Sequence, residues 1–204
     1  MDELDQKTRA SMAYPRKGTL NRLVYKTPLI LWRTGLGSLL SHPLLGGSRM
    51  LALTTRGRKS GQPRHTMLSY VPAGGKDFVC SGWGKRSDWV QNIRNDPLVT
   101  VQVGRRQYSA RAYRVEDLEE FITVAEEMFL TGGDSHFGPW LDSHGIRSDR
   151  EDMIAKRERL MIFGFKPVPE AGPAPLTADL RWIWLLFPAL VVFIWGMLIL
   201  FRLS

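Results

Sequence analysis

The chain has 204 residues, a formal charge of +8, seven Trp, nine Phe and a single cysteine. That length holds one ordinary domain with a sizeable core plus a further segment, and the charge suits anionic partners such as phosphorylated cofactors, acidic lipid or nucleic acid. Cys80 has no partner for an intrachain disulfide, and no helix-turn-helix, finger or RNA-binding aromatic signature accompanies the cations, so nucleic acid is not expected as a partner.

Residues 1–17 are charged and aperiodic and read as a flexible arm. They lack the apolar segment of a signal peptide, which suits a cytoplasmic domain. Over residues 18–46, Leu20, Leu23, Val24, Leu31, Leu36, Leu39 and Leu40 recur at helical spacing, interrupted by Pro28. Two short helices are expected there. Their basic side (Arg16, Lys17, Arg22, Lys26, Arg33) fits either core packing or an anionic membrane surface.

From residue 47 to 166 the pattern is mainly β. Met50–Thr55 and Thr66–Val71 are expected strands, joined by a connection over Gly57–Pro63 within the basic stretch Thr54-Thr55-Arg56-Gly57-Arg58-Lys59-Ser60-Gly61-Gln62-Pro63-Arg64. Glycines let the backbone turn with exposed N–H groups, and Arg and Lys supply fixed charge. By composition this is either a solvated hairpin tip or a loop that holds an anion, above all a phosphate. Ala73-Gly74-Gly75-Lys76-Asp77 is a hairpin turn into a short strand, Phe78–Ser81. After the Gly82–Arg86 loop, Ser87 or Asp88 can cap a helix from Trp89 to Asn95, stopped by Asp96-Pro97. Leu98–Val103 alternates with period two, Gly104 turns the chain, and Gln107–Val115 is the fifth strand. Glu116–Leu130 is an amphipathic helix, Thr131–Ile146 a loop, Asp149–Arg159 a short charged helix and Leu160–Phe165 the last strand. About six antiparallel strands with flanking helices give an α+β fold, a small closed or half-closed barrel.

Residues 167–180 carry four prolines and read as a linker. Trp182–Phe201 follows as twenty residues without a charge, bounded by Arg181 and Arg202. At about 1.5 Å per residue this spans a hydrocarbon core of about 30 Å, so residues 181–202 are expected as a C-terminal transmembrane anchor. Trp182, Trp184 and Trp195 near its ends suit the interfaces.

Two motifs carry a resemblance. Leu51 to Arg64, ending in Thr54-Thr55-Arg56-Gly57-Arg58-Lys59-Ser60-Gly61-Gln62-Pro63-Arg64, is followed by Trp89, Asn92, Asn95-Asp96-Pro97 and Val99–Val103. This block, about Met50 to Val115, resembles the deazaflavin-dependent nitroreductase family, the F420H2-dependent quinone and nitro reductases of split β-barrel (FMN-binding-like) fold. The resemblance implies a deazaflavin cofactor, F420, with its phosphate on Arg58, Lys59, Ser60, the Gly61 amide and Arg64. It further implies that Cys80, Ser81 and Gly82 lie along the ring, with Ser81 able instead to orient a substrate. Trp89 and Asn92 would border the cofactor, or else serve as core packing and helix cap. Hydride would pass to a lipophilic acceptor such as a quinone, with nitro compounds as adventitious acceptors.

The Gly82-Trp83-Gly84-Lys85-Arg86 loop is shorter than the family's, and Phe137-Gly138-Pro139-Trp140 stands where the family is tyrosine-rich. Trp83, His136 and Trp140 are candidates for the acceptor site, or surface and core aromatics. The four histidines lack metal-ligand spacing, and no metal is expected. The alternatives are an FMN-dependent split-barrel oxidoreductase and a non-catalytic deazaflavin or lipid carrier.

Overall fold

A computed structural model describes residues 28–30, 32–34, 49–104 and 106–178, with 191 and 195 as isolated positions. Six strands, β1 (Met50–Arg56), β2 (Pro63–Ala73), β3 (Lys76–Cys80), β4 (Leu98–Val103), β5 (Arg106–Arg114) and β6 (Ile162–Pro167), close a barrel in the order β1-β2-β3-β6-β5-β4. Every pairing is antiparallel, and β4 closes onto β1 through Ala52–Gln102, Leu53–Val101 and Thr54–Thr100. The helices are α1 (Asp88–Asn95), α2 (Leu118–Ser143) and α3 (Arg150–Ala155), with 3-10 turns at Gly84–Arg86 and Arg157–Arg159. The expected antiparallel barrel with flanking helices is therefore the observed fold.

Alternation sorts the side chains into two cores. Leu51, Leu53, Val79, Val99, Val101, Ala110, Phe163 and Phe165 fill the barrel, together with Trp89, Val90 and Ile93 of α1. One helix thus plugs one barrel end, with Trp89 packed edge-on to Phe163 at 5.4 Å between ring centroids. Outside, Val71, Phe78, Val115 and Ile162 meet Phe121, Val124, Ala125 and Met128 of α2 and Met153 of α3.

Two sequence expectations change. The loop expected over Thr131–Ile146 is helical as far as Ser143. Gly132 and Gly133 each cost a helix only about 1 kcal/mol, and packing beyond them outweighs that: Leu141 and Ile146 are buried in the outer core. The Pro-rich stretch after β6 is docked, not a free linker. Ser109 O accepts from the Val168 amide and Ser109 Oγ from the Gly172 amide. Thr100 Oγ1 donates to Pro173 O at 2.6 Å, and the Gln102 carboxamide both gives to and takes from Leu176, at 3.0 and 2.9 Å. This strap explains why β4 is buried on both faces, Thr100 and Gln102 included. It also fixes Gly172, where an added Cβ would lie 2.6 Å from Thr100 Oγ1 and 2.8 Å from Val99 O.

Among the described residues no helix is long and apolar enough to cross a membrane. The expected span, Trp182–Phe201, lies outside them except at Val191 and Trp195, as do residues 1–27 and most of the expected N-terminal helical region, of which 28–30, 32 and 33 are helical.

Candidate functional site

The basic connection between β1 and β2 is a closed turn. The Gly57 amide donates to Gln62 O at 2.9 Å and the Gly61 amide to Gly57 O at 2.8 Å. Gly61 sits at φ +67°, open to solvent. Gly57 has no room for a side chain, because a Cβ would fall 2.9 Å from Ser60 Oγ. Ser60 Oγ accepts from the Gln62 amide and from Arg64 Nη2, at 3.4 and 3.3 Å. Both bonds leave its own proton free to donate outward.

The turn is fastened to α1. Asn92 is 4% exposed. Its Oδ1 accepts from the Arg58 amide at 3.2 Å and from Arg58 Nη1 at 3.3 Å, while its Nδ2 donates to Thr55 Oγ1 at 3.0 Å. Thr55 Oγ1 in turn donates to Arg64 O. Flanking Asn92, Asp88 takes both terminal nitrogens of Arg58 at 3.1–3.2 Å, and Asp96 pairs with Arg56 Nε at 2.9 Å. Asp88, Asn92 and Asp96 are spaced i, i+4, i+8 and so share one face of the helix. The opposite face carries Trp89, Val90 and Ile93 into the barrel.

The expected residues therefore divide. Arg58, Lys59, Ser60, Gly61 and Arg64 share one exposed turn, and Asn92 is joined to it. Lys59 and Arg64 have no acidic partner among the described residues, and both present charge outward. The Gly61 amide is committed within the turn. Trp89 is core packing, 6% exposed. Asn92 does not cap the helix: both ends of its carboxamide are occupied by the turn.

Ser81 is fully buried. Its amide donates to Met161 O, and its Oγ donates to Gly84 O at 2.9 Å and contacts Ser87 Oγ at 2.6 Å. With Ser81's one proton on Gly84 O, Ser87 is the donor in that pair. The hydroxyl shapes the loop into α1 and is not free to orient a substrate. Gly82 is exposed on that loop, and Trp83 is half-buried beside it. The Cys80 thiol points under α2, 3.7 Å from Met128 Sδ, and burial pushes its pKa up to about 12 although the residue as a whole is only half-buried. Trp140 packs on the outer core against His144, with ring centroids 5.1 Å apart. His136 lies on α2 at a position whose side chain is outside the description.

A groove of about 500 Å³ between α2 and α3 is lined chiefly by Phe121, Ile122, Ala125, Phe129, Met153 and Ile154. None of the expected site residues borders it. Among the described residues no three His, Cys, Asp or Glu are grouped as a metal site.

Sequence reasoning missed Thr55, Asp88 and Asp96. The fourfold spacing of Asp88, Asn92 and Asp96 was the signal that could have found the two acids: one polar face aimed at an arginine-rich turn. Chemically the arrangement is a rigid cationic turn with outward Lys59, Arg64 and a Ser60 hydroxyl. That donor set fits a phosphate.

Residues 32–128 match the family model described as F420H(2)-dependent quinone reductase. An F420H(2)-dependent quinone reductase of Mycobacterium tuberculosis (strain ATCC 25618 / H37Rv) is 28% identical over 85 residues, 40% of this chain and 57% of the relative. The chain thus spans little more than half the length of the curated relative it matches. Among solved structures, an F420-H2 dependent reductase is 24% identical with a TM-score of 0.39, covering 58% of this chain and 94% of the other. The heme storage protein HutZ of Vibrio cholerae is 18% identical with a TM-score of 0.43, covering 64% and 92%. The family read from the turn and helix motifs is the one whose model matches, across the turn, α1 and most of the barrel.

Proposed function

We propose that this chain, whose residues 32–128 are of the F420H(2)-dependent quinone reductase family, is an oxidoreductase that binds reduced deazaflavin F420 and passes hydride to a lipophilic acceptor such as a quinone. The observation that carries the reading is the turn itself: a preformed cationic loop, fastened to α1 through Asn92, inside the block that the family model matches. Lys59 and Arg64 would neutralise the phosphate, Ser60 Oγ would donate to it, and Arg58 would add a third cation. F420, when bound and reduced, supplies the hydride. The protein's part is to hold the anionic end and keep the turn from reorganising as it binds.

Two features support a lipophilic acceptor. The relatives that the chain matches are named as quinone reductases, and the uncharged Trp182–Phe201 segment has the length and composition to hold the domain beside a membrane-dissolved substrate. The test is twofold. F420 should bind saturably to the full chain, with FMN binding much more weakly, and reduced F420 should lose its electrons to menadione only when the protein is present. Binding without turnover would mark a carrier. Binding of FMN in preference to F420 would transfer the reading to flavin chemistry.

A further inference from the structure

Asp88 stands where an anion-binding turn has least use for a carboxylate. Its Oδ1 accepts from Arg58 Nη1 and Nη2, at 3.2 and 3.1 Å, with the Asp88 side chain 77% exposed and that of Arg58 35% exposed. Asp96 is 27% exposed and bonds Arg56 through one oxygen and the Leu98 amide through the other, so it is built into the chain's path out of α1. Asp88 makes no second bond of that kind among the described residues. Nor is it needed to place Arg58, because Asn92 already holds both the Arg58 amide and Nη1. Asp88 thus occupies the terminal edge of a guanidinium that could otherwise grip a phosphate with two parallel bonds.

We propose that Asp88 is a counter-anion built into the turn, which competes with the cofactor's phosphate for Arg58 and so limits how tightly the cofactor is held. This rests on the turn being the phosphate site. A solvent-facing ion pair is weakly held and readily exchanged. An arriving phosphate can take the Arg58 edge, but it then leaves the Asp88 carboxylate as an unpaired like charge beside it. The protein gains a turn in which Arg58 is paired when empty, leaving Lys59 and Arg64 as the outward cations, and which releases its ligand more easily than three unopposed cations would.

A double-mutant cycle tests this on the full chain: wild type, Asp88→Asn, Arg58→Gln and the double variant, each titrated with F420, with the phosphate-free deazaflavin riboside and with inorganic pyrophosphate. Asp88→Asn should bind F420 and pyrophosphate roughly three- to fivefold more tightly, with riboside binding unchanged. In the Arg58→Gln background the gain should fall well below this, to the screened like-charge repulsion alone, which a general loss of negative charge or a change in folding would not produce. Equal or weaker anion binding by Asp88→Asn overturns the proposal, as does a gain that persists undiminished without Arg58 or extends to the riboside. Pyrophosphate separates the two readings. If F420 alone fails to bind, the proposed function falls while the Asp88 relationship is still read; if neither anion binds any variant, both fall.

Discussion

The Oδ1 atom of Asn92 accepts from the backbone amide and the guanidinium of the same residue, Arg58, at 3.2 and 3.3 Å. That single atom makes the basic turn an extension of α1, and α1 in turn is locked into the barrel by Trp89, Val90 and Ile93. Core packing thereby reaches the ligand-facing surface through one buried carboxamide.

Asn92→Ala should therefore act at a distance. It strips partners from the Arg58 amide and from Thr55 Oγ1, a buried loss of about 1–3 kcal/mol. The expected result is a lower denaturation midpoint together with weaker cofactor binding. Urea titration and F420 titration of the same variant check it; a stability loss with unchanged affinity would detach the turn from α1.

Lys59→Ala and Arg64→Ala should do the reverse. Both side chains are exposed, so stability should shift by no more than about 0.5 kcal/mol. Each should nonetheless weaken F420 binding by roughly 1.5–3 kcal/mol, the range for a charge-assisted hydrogen bond. Thermal melts beside binding isotherms separate the two effects.

How much of this was legible beforehand follows from chain distance. The turn and its glycines are local, and so were the strands around it, because β alternation needs only a few residues to declare itself. Asn92 was found but its role was not, since a carboxamide one turn into a helix looks the same whether it caps, lines a pocket or clamps a loop 34 residues away. Ser81 failed as a substrate contact for a related reason: only the fold shows that Ser87 and Gly84 O consume its hydroxyl. Likewise α2 runs past Gly132 and Gly133 because of burial at Leu141, which no local propensity records.

The strap makes a separate prediction. Gly172→Ala pushes a methyl onto Thr100 Oγ1 and the Val99 carbonyl, one of which is backbone and cannot turn away. Overpacking of this kind costs about 1–3 kcal/mol. Residues 168–176 should become the earliest site of limited proteolysis in the variant and remain protected in the wild type.

His65 gives a pH signature. Burial, and then the charge of Arg33, hold its imidazole below the ordinary 6.5, while Thr54 Oγ1 lies 3.0 Å from Nδ1. The folded state therefore binds this proton less readily than the unfolded chain. His65's contribution is complete above about pH 6.5, declines as pH falls below it, and levels off beneath the folded pKa. His65→Gln should flatten the melting temperature across that window. An equally steep decline in the variant would assign the effect to other groups.

On the proposed function, the Gly57–Arg64 turn holds the phosphate of a deazaflavin. Its most direct test is the equilibrium titration of the full-length protein with F420, run beside Lys59→Ala and Arg64→Ala. Saturable binding, weakened about tenfold or more by each substitution, is the predicted result. Wild-type binding that both substitutions leave unchanged, or no saturable binding by any of the three, would contradict it.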